Sequence, residues 1–279
     1  MVAIPPKPEQ QIINRVYAAI EKEKASSDVY LGRLGSSFIG EECIRQIWLN
    51  WRGFARESFG GRMLRLFETG HLQEERIVAD LRRAGLAVWD KEENGRQFEF
   101  IDETGHLITK MDGVAKGVPD SEKTPHVLEI KTHNKNSFNG VVKKGIQESK
   151  PLHYAQVQIS MALGGFTRAL YVAVCKDDEQ FYVERVKEDK ETQAKLKQKV
   201  IKLVEARLTP AGISDDGSSF GCKFCSMKAV CVGEAQPLRH CRTCSSATPT
   251  PTGTWTCELN KETLSLDAQR VGCEHYEVV

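Results

Sequence analysis

Two short stretches decide the reading of this chain: Met111-Asp112-Gly113 and His126-Val127-Leu128-Glu129-Ile130-Lys131. Each lies in a segment that reads as a strand, His106 to Asp112 and His126 to Lys131. Glu129 follows Asp112 by 17 positions. Side chains alternate along a strand, so Val127, Glu129 and Lys131 share one face. Leu128 and Ile130 share the other and can pack in a core. A hairpin that brings Asp112 beside Glu129 supplies two hard oxygen ligands, which suit Mg²⁺ or Mn²⁺. A lysine beside them can position a water and stabilise charge on a phosphate. Taken alone, the Glu-x-Lys triplet reads as a solvated strand face, because that spacing is common. Its context singles it out: an apolar opposite face, an Asp-Gly strand end before it, and Thr69-Gly70-His71 upstream. Tyr154-Ala155-Gln156-Val157-Gln158 follows on a helix.

Working outward, Ile12, Ile13, Val16, Tyr17 and Ile20 repeat at helical spacing and predict a first amphipathic helix. A second is expected from about Glu41 to Trp51, and a third from near His71 to Gly85. Gln97 to Asp102 alternates as a strand. Lys150-Pro151 opens a helix whose stripe is Leu152, Ala155, Ile159, Ala162 and Leu163. Ala169 to Val174 is a nearly continuous apolar run and reads as a central strand, with Gln180 to Val186 paired to it. A long helix is expected from about Glu188 to Leu208. Ser245 to Thr254 reads as a turn-rich loop. The order predicts a mixed α/β domain over residues 1–235, followed by a small module over 236–279.

The chain has 279 residues, 40% hydrophobic and 28% charged, which is ordinary for a globular protein. Lys plus Arg (39) nearly balances Asp plus Glu (38). That excludes a polybasic tail protein but leaves room for a local basic groove. No apolar run is long enough to span a membrane, and Met1 to Gln10 does not read as a signal peptide. A cytoplasmic location is expected, with reduced thiols. The nine cysteines then read as metal ligands rather than disulfides. Seven of them fall in the last 58 residues. Cys175 ends an apolar strand and reads as a packing residue, and Trp48 and Trp51 as core.

Asp112, the Glu129-Ile130-Lys131 triplet, upstream His71 and the glutamine helix together resemble a PD-(D/E)XK nuclease of the RecB type. Relatives of that type include CRISPR-associated exonucleases, AddB-type nuclease domains and phage recombination exonucleases. The resemblance covers roughly residues 36–232. It implies a restriction-endonuclease-like core, a central mixed sheet flanked by helices. It implies that His71, Asp112, Glu129 and the backbone carbonyl of Ile130 hold Mg²⁺ or Mn²⁺. Lys131 would be the catalytic lysine and Gln156 the glutamine of the following helix. The family motif often reads Gln-x-x-x-Tyr, whereas Ser160 stands at the tyrosine place and Tyr154 precedes Gln156. Glu75, one helical turn past His71, could orient it, reach a second metal or be a surface charge. The implied activity is hydrolysis of phosphodiester bonds in DNA, by an exonuclease in end processing or recombination. A recombination or replication protein would be the partner. An endonuclease of the same fold and a non-catalytic DNA-binding scaffold are the alternatives.

Cys222-x2-Cys225-x5-Cys231 puts three thiolates on one short loop and needs a fourth ligand. Cys43 is a candidate for it. An early cysteine with three late ones resembles the iron–sulfur branch of the same family, which implies a [4Fe–4S] cluster. Zinc is the other reading of the late trio. Cys241-x2-Cys244, Cys257 and Cys273 read as a zinc-ribbon-like Zn²⁺ site, with His240 and His275 as competitors for a ligand place. Such a tail is not usual in the family and resembles a phage or prophage variant.

Overall fold

The computed structural model describes residues 7–24, 31–56 and 58–279. The start of the Met1–Gln10 stretch lies outside them. In chain order, α1 (Pro8–Lys24) and β1 (Leu34–Gly35) precede α2 (Ile44–Arg52) and α3 (Gly61–Arg83). Four strands follow: β2 (Ala87–Trp89), β3 (Phe98–Ile101), β4 (Leu107–Met111) and β5 (Gly113–Lys116). Next come β6 (His126–His133), α4 (Lys135–Ser149), α5 (Pro151–Gly164), β7 (Arg168–Cys175), β8 (Phe181–Lys187) and α6 (Lys190–Glu205). The chain closes with α7 (Lys228–Cys231), β9 (Ala247–Pro249), β10 (Trp255–Cys257), β11 (Glu262–Leu264) and α8 (Leu266–Gln269).

The main sheet has the order β2-β5-β6-β7-β8 and is mixed: only β6 and β7 run parallel. A parallel pair needs a crossover, and α4 and α5 supply it. Both helices cover the face that carries Val127 and Tyr171, through Phe138, Val141, Ile146, Val157 and Met161. The other face, with Leu128, Ile130, Leu170 and Val172, packs against Ile77 and Val78 of α3. Thus β7 is apolar on both faces because helices cover both. The expected mixed α/β core with helices flanking the sheet is present. A small sheet, β1-β4-β3, packs on α5 through a buried hydroxyl chain. Ser36 Oγ meets Thr109 Oγ1 at 2.9 Å, and Thr109 Oγ1 meets Ser160 Oγ at 2.6 Å.

Asp112 is the single residue between β4 in the small sheet and β5 in the large one. Gly113 permits the change of sheet. A Cβ there would lie 2.7 Å from Trp89 O, so the backbones can approach this closely only at glycine.

Three expectations need correcting. The third helix starts at Gly61, not near His71, so His71 sits mid-helix. α4 was not anticipated, because Gly140 and Gly145 interrupt the spacing of Phe138, Val141 and Ile146. Gly145 has φ +68° and kinks α4, and there the Ile146 N–H donates to Glu184 Oε2 at 2.9 Å. The Ser245–Thr254 stretch contains a strand, β9, which pairs with β10. Its threonines bond locally across the turn, as in Thr250 Oγ1 to Thr254 Oγ1 at 2.7 Å.

The last 40 or so residues share a core with the rest. Cys244, Ala247, Trp255 and Leu264 pack in the same cluster as Leu34, Ile47, Trp48 and Trp51. Arg52, 1% exposed, seals this junction. It donates to the carbonyls of Arg242 (2.6 Å), Cys244 (3.1 Å) and Ala247 (3.0 Å). Its guanidinium also lies over the rings of Trp48 (4.7 Å) and Trp255 (5.1 Å). Burial lowers its pKa to about 10, which leaves it charged at neutral pH.

Candidate active site

Strand alternation puts Glu129 and Lys131 on the α4/α5 face of β6, as expected, but Glu129 is not solvated. It is fully buried. Lys131 Nζ donates to Glu129 Oε1. Glu129 Oε2 is buried with no hydrogen-bond partner among the described residues. A carboxylate oxygen left bare inside a protein is costly, and a divalent cation is a partner that would satisfy it.

Asp112 arrives from the sheet junction. Its Oδ2 accepts the Ile130 N–H at 2.7 Å, which locks it beside the Glu129–Lys131 pair. The expected juxtaposition of Asp112 and Glu129 therefore holds, through the β5–β6 pairing that sets Gly113 against Leu128. From the opposite side α3 brings in Glu74. Its carboxyl is raised, first by burial and then by Asp112, with His71 and Lys131 pulling it down. Glu75, for which a surface charge was one of the open readings, is exposed. Glu74 lies three and four residues before the buried Ile77 and Val78, so it shares their inward face. That apolar pair was the signal in the sequence.

Burial also raises Glu129, to about 7, with Lys131 opposing and Asp112 reinforcing. Asp112 is raised by burial, against the pull of Lys131, the Ile130 N–H and His71. Burial works against the Lys131 ammonium, but Glu129 and Asp112 outweigh it and raise its pKa. Three carboxylates, Asp112, Glu129 and Glu74, thus share the influence of Lys131 and of His71, which is itself exposed on α3, a cluster short of positive charge. Hard oxygens with a bare buried acceptor fit a divalent cation of the Mg²⁺ or Mn²⁺ type. Among the described residues, no three His, Cys, Asp or Glu side chains already stand in ligating geometry.

A second set of groups borders this pocket. Tyr171 is the register partner of Glu129 on β7. Its hydroxyl joins two imidazoles, His153 Nδ1 at 2.8 Å and His133 Nε2 at 3.0 Å. His133 Nδ1 meets Ser137 Oγ at 2.9 Å. Burial, with Lys131 and other cations nearby, lowers His153 to about 3 and His133 to about 4, so both rings are neutral. Sequence reasoning missed all three rings, because each sits in a stretch that reads as ordinary strand or helix. Gln156 is nearly buried on α5, one turn from His153 and one from Ser160, on the face toward the sheet. Tyr154 points elsewhere: its hydroxyl donates to Asp189, the N-cap of α6, at 3.2 Å. Gln158 bridges to the same corner through Lys187 O and Asp189 N.

Both cysteine groups are drawn together. Cys43, at the N-cap of α2, lines one cavity with Cys222, Cys225 and Cys231. The Cys225 thiol is raised by burial and by the other three. Arg45 donates to Cys231 Sγ at 3.8 Å. The Cys241 thiol is raised by burial and by Cys244, Cys273 and Cys257. It lies within hydrogen-bonding reach of the carbonyls of Ala268 (3.2 Å) and Val271 (3.1 Å). His240 Nε2 is taken by Gly53 O at 2.9 Å, and His275 is largely exposed. Cys175 is fully buried, as expected.

No family model and no curated protein matches the chain. Among solved structures it is similar to an alkaline exonuclease (LHK-Exo) from Laribacter hongkongensis, with a TM-score of 0.46 at 18% identity, over 68% of this chain and 89% of that one. A structure of LHK-Exo in complex with dAMP gives 0.44 at 17%, over 68% and 89%. SSO0001 gives 0.46 at 15%, over 81% of this chain and 98% of that one.

Proposed function

We propose that the protein is a metal-dependent DNA nuclease that hydrolyses phosphodiester bonds at the Asp112/Glu129/Lys131 site. One observation carries the reading: the bare buried Glu129 Oε2, set among Asp112, Glu74 and a paired lysine. Asp112, Glu129, His71 and the Ile130 carbonyl would hold Mg²⁺ or Mn²⁺, with Glu74 rather than Glu75 as the nearby acid. The bound ion would polarise the phosphate and lower the pKa of the attacking water. Lys131 stays protonated beside Glu129, so it can orient that water and offset charge building on the phosphate. Asp112 is held by the Ile130 N–H and is thus positioned in advance. Gln156, one turn along α5 from His153, would help hold Lys131 or the substrate.

The exonuclease reading, a role in DNA end processing or recombination, and a phage or prophage setting rest on the motif resemblance. The same reading assigns Cys43, Cys222, Cys225 and Cys231 to a [4Fe–4S] cluster. It assigns Cys241, Cys244, Cys257 and Cys273 to Zn²⁺, with Cys273 preferred to His275 because it is Cys273 whose charge reaches Cys241.

The test uses labelled linear and circular DNA, single- and double-stranded, with Mn²⁺. Wild type is expected to cut and Glu129→Ala to lose activity by about 10³-fold or more, as expected for a group that acts in the transition state. Equal cutting by the variant overturns the assignment. Cutting of closed circles makes the protein an endonuclease.

A further inference from the structure

We propose that His153 is a further catalytic residue: its Nε2–H donates to a non-bridging oxygen of the scissile phosphate, and Tyr171, His133 and Ser137 are the positioning residues that hold the ring for it. This rests on the nuclease reading and deepens it, by naming a substrate contact that no metal supplies.

The sheet fixes the placement. Glu129, Lys131 and His133 alternate onto one face of β6. On the parallel neighbour β7, Tyr171 is in register with Glu129 and packs on that same face. α5 covers it through Val157 and Met161. His153 lies one helical turn before Val157, so its ring comes down on the two strands. The ring centroid is 5.6 Å from that of His133 and 5.9 Å from that of Tyr171. Apart from burial, Lys131 acts on this imidazole more strongly than His133 or Lys150 does.

The hydrogen bonds form a single chain. Ser137 Oγ meets His133 Nδ1 at 2.9 Å, His133 Nε2 meets the Tyr171 hydroxyl at 3.0 Å, and that hydroxyl meets His153 Nδ1 at 2.8 Å. His133 and Tyr171 are buried, whereas Ser137 and His153 are half-buried. The chain ends at His153 Nε2, which has no hydrogen-bond partner among the described residues. A neutral imidazole donates from one nitrogen and accepts at the other, and a tyrosine hydroxyl has one hydrogen. For all three bonds to form, the chain must run one way throughout. An ionised phosphate oxygen only accepts. With substrate bound, the chain therefore runs from Ser137 to His153 and presents Nε2–H.

Charge favours an anion at this end of the chain. Lys131 and Lys150 are the cations that reach His153. Two acids reach Tyr171, Glu129 and Glu184, and both are engaged. Glu129 is paired with Lys131, and Glu184 accepts from the Ile146 N–H and the Tyr182 hydroxyl. Glu148, two residues before Lys150, is paired with Lys144. A neutral donor beside two lysines suits a phosphate oxygen and sets no further cation against the proposed metal.

The experiment compares single-turnover cleavage, with Mn²⁺, of a linear oligonucleotide and of the same strand carrying one phosphorothioate, Rp or Sp, at the linkage cut. Sulfur accepts hydrogen bonds poorly, whereas Mn²⁺ tolerates it as a ligand. Slowing that persists in Mn²⁺ therefore marks the oxygen met by a protein donor. Wild type is expected to cut one isomer about tenfold more slowly than the oxygen substrate, the equivalent of one charge-assisted hydrogen bond. His153→Ala should cut the oxygen substrate about 10²-fold more slowly, as for loss of one transition-state donor, with KM nearly unchanged. It should cut the oxygen and sulfur substrates at equal rates. Each ratio is taken on one preparation, so an unfolded fraction does not alter it. His153→Phe keeps a ring in place without a donor and should behave as His153→Ala does; it carries the comparison where His153→Ala fails to fold. His153→Gln, which keeps an N–H donor, should recover part of the rate and of the slowing by sulfur. Tyr171→Phe should shrink the slowing by sulfur, though less than His153→Ala. A wild-type rate in His153→Ala and His153→Phe, or a low rate with the slowing by sulfur intact, overturns the role of His153 and leaves the nuclease reading standing. So does equal cutting of all three substrates by wild type. Wild type that never cuts the oxygen substrate removes the nuclease reading, and this role falls with it.

Discussion

At the scale of single residues, burial of Glu129 has a consequence that can be titrated. Its folded pKa, about 7, lies above the unfolded value near 4.5. A raised carboxyl stabilises the fold below its unfolded pKa, and that contribution is lost as pH rises through the folded value. The metal-free protein should therefore lose stability between about pH 4.5 and 7 through this group. Glu129→Gln, which cannot ionise, should flatten that fall in a melting series. Added Mn²⁺ should restore stability in wild type alone, with proton release larger at about pH 6 than at pH 8. A metal effect of equal size in Glu129→Gln would contradict the placement of the ion. The imidazole pair gives a second prediction. Tyr171 ties His153 and His133 together beside Lys131 without a charged group of its own. Tyr171→Phe, which removes both bonds, should lower kcat by about 10-fold and cost roughly 2 kcal/mol of stability, at about 1 kcal/mol per buried bond. The sequence made Glu129 and Lys131 legible because strand alternation leaves no choice of face. It could not separate Glu74 from Glu75, since both neighbour His71 on a helix and only packing against Ile77 and Val78 picks one.

At the scale of elements, the junction of β4 and β5 controls where Asp112 points. Gly113 has no room for a side chain against Trp89 O. Gly113→Ala should cost roughly 1–3 kcal/mol, the usual range for overpacking. It should also lower activity more than the loss of folded fraction explains, because Asp112 moves with the junction. Denaturant melts and kcat measured on the same preparation check this. Activity that tracks the folded fraction would mean that Gly113 is structural only. The strands and α5 were readable from period and from Pro151. The kinked helix α4 was not, because its glycines break the pattern and its continuation depends on Glu184, a residue far along the chain on β8. β9 was hidden in a run rich in Thr, Pro and Gly. Its pairing with β10 is a property of the folded tail rather than of the run itself.

At the scale of the whole molecule, the cysteine count suggested two late groups; Cys222, Cys225 and Cys231 line one cavity with Cys43, while among the described residues no three cysteines stand in ligating geometry. What the count could not show is how the tail is attached. Trp255 packs with Trp48 and Trp51 across some two hundred residues, and no local pattern marks such a partner. Arg52 makes the attachment strict. It is buried, charged and satisfied by three carbonyls of the tail. Taking those carbonyls away would leave an unpaired buried cation, at a cost of about 3–5 kcal/mol. One shared core implies one cooperative unit. If the late cysteines hold zinc as proposed, a chelator should therefore lower the melting temperature of the entire chain in a single transition, and the proposed nuclease activity should fall along the same curve. Iron at about four per chain and zinc at about one, measured on protein purified without oxygen, would show that both metals are loaded beforehand. If the tail instead melted early while the nuclease transition stayed put, the shared core would be too weak to couple them. Arg52→Met separates the two outcomes. It removes the charge and its bonds while keeping apolar contact with Trp48 and Trp255, so it should uncouple the tail if Arg52 is the link.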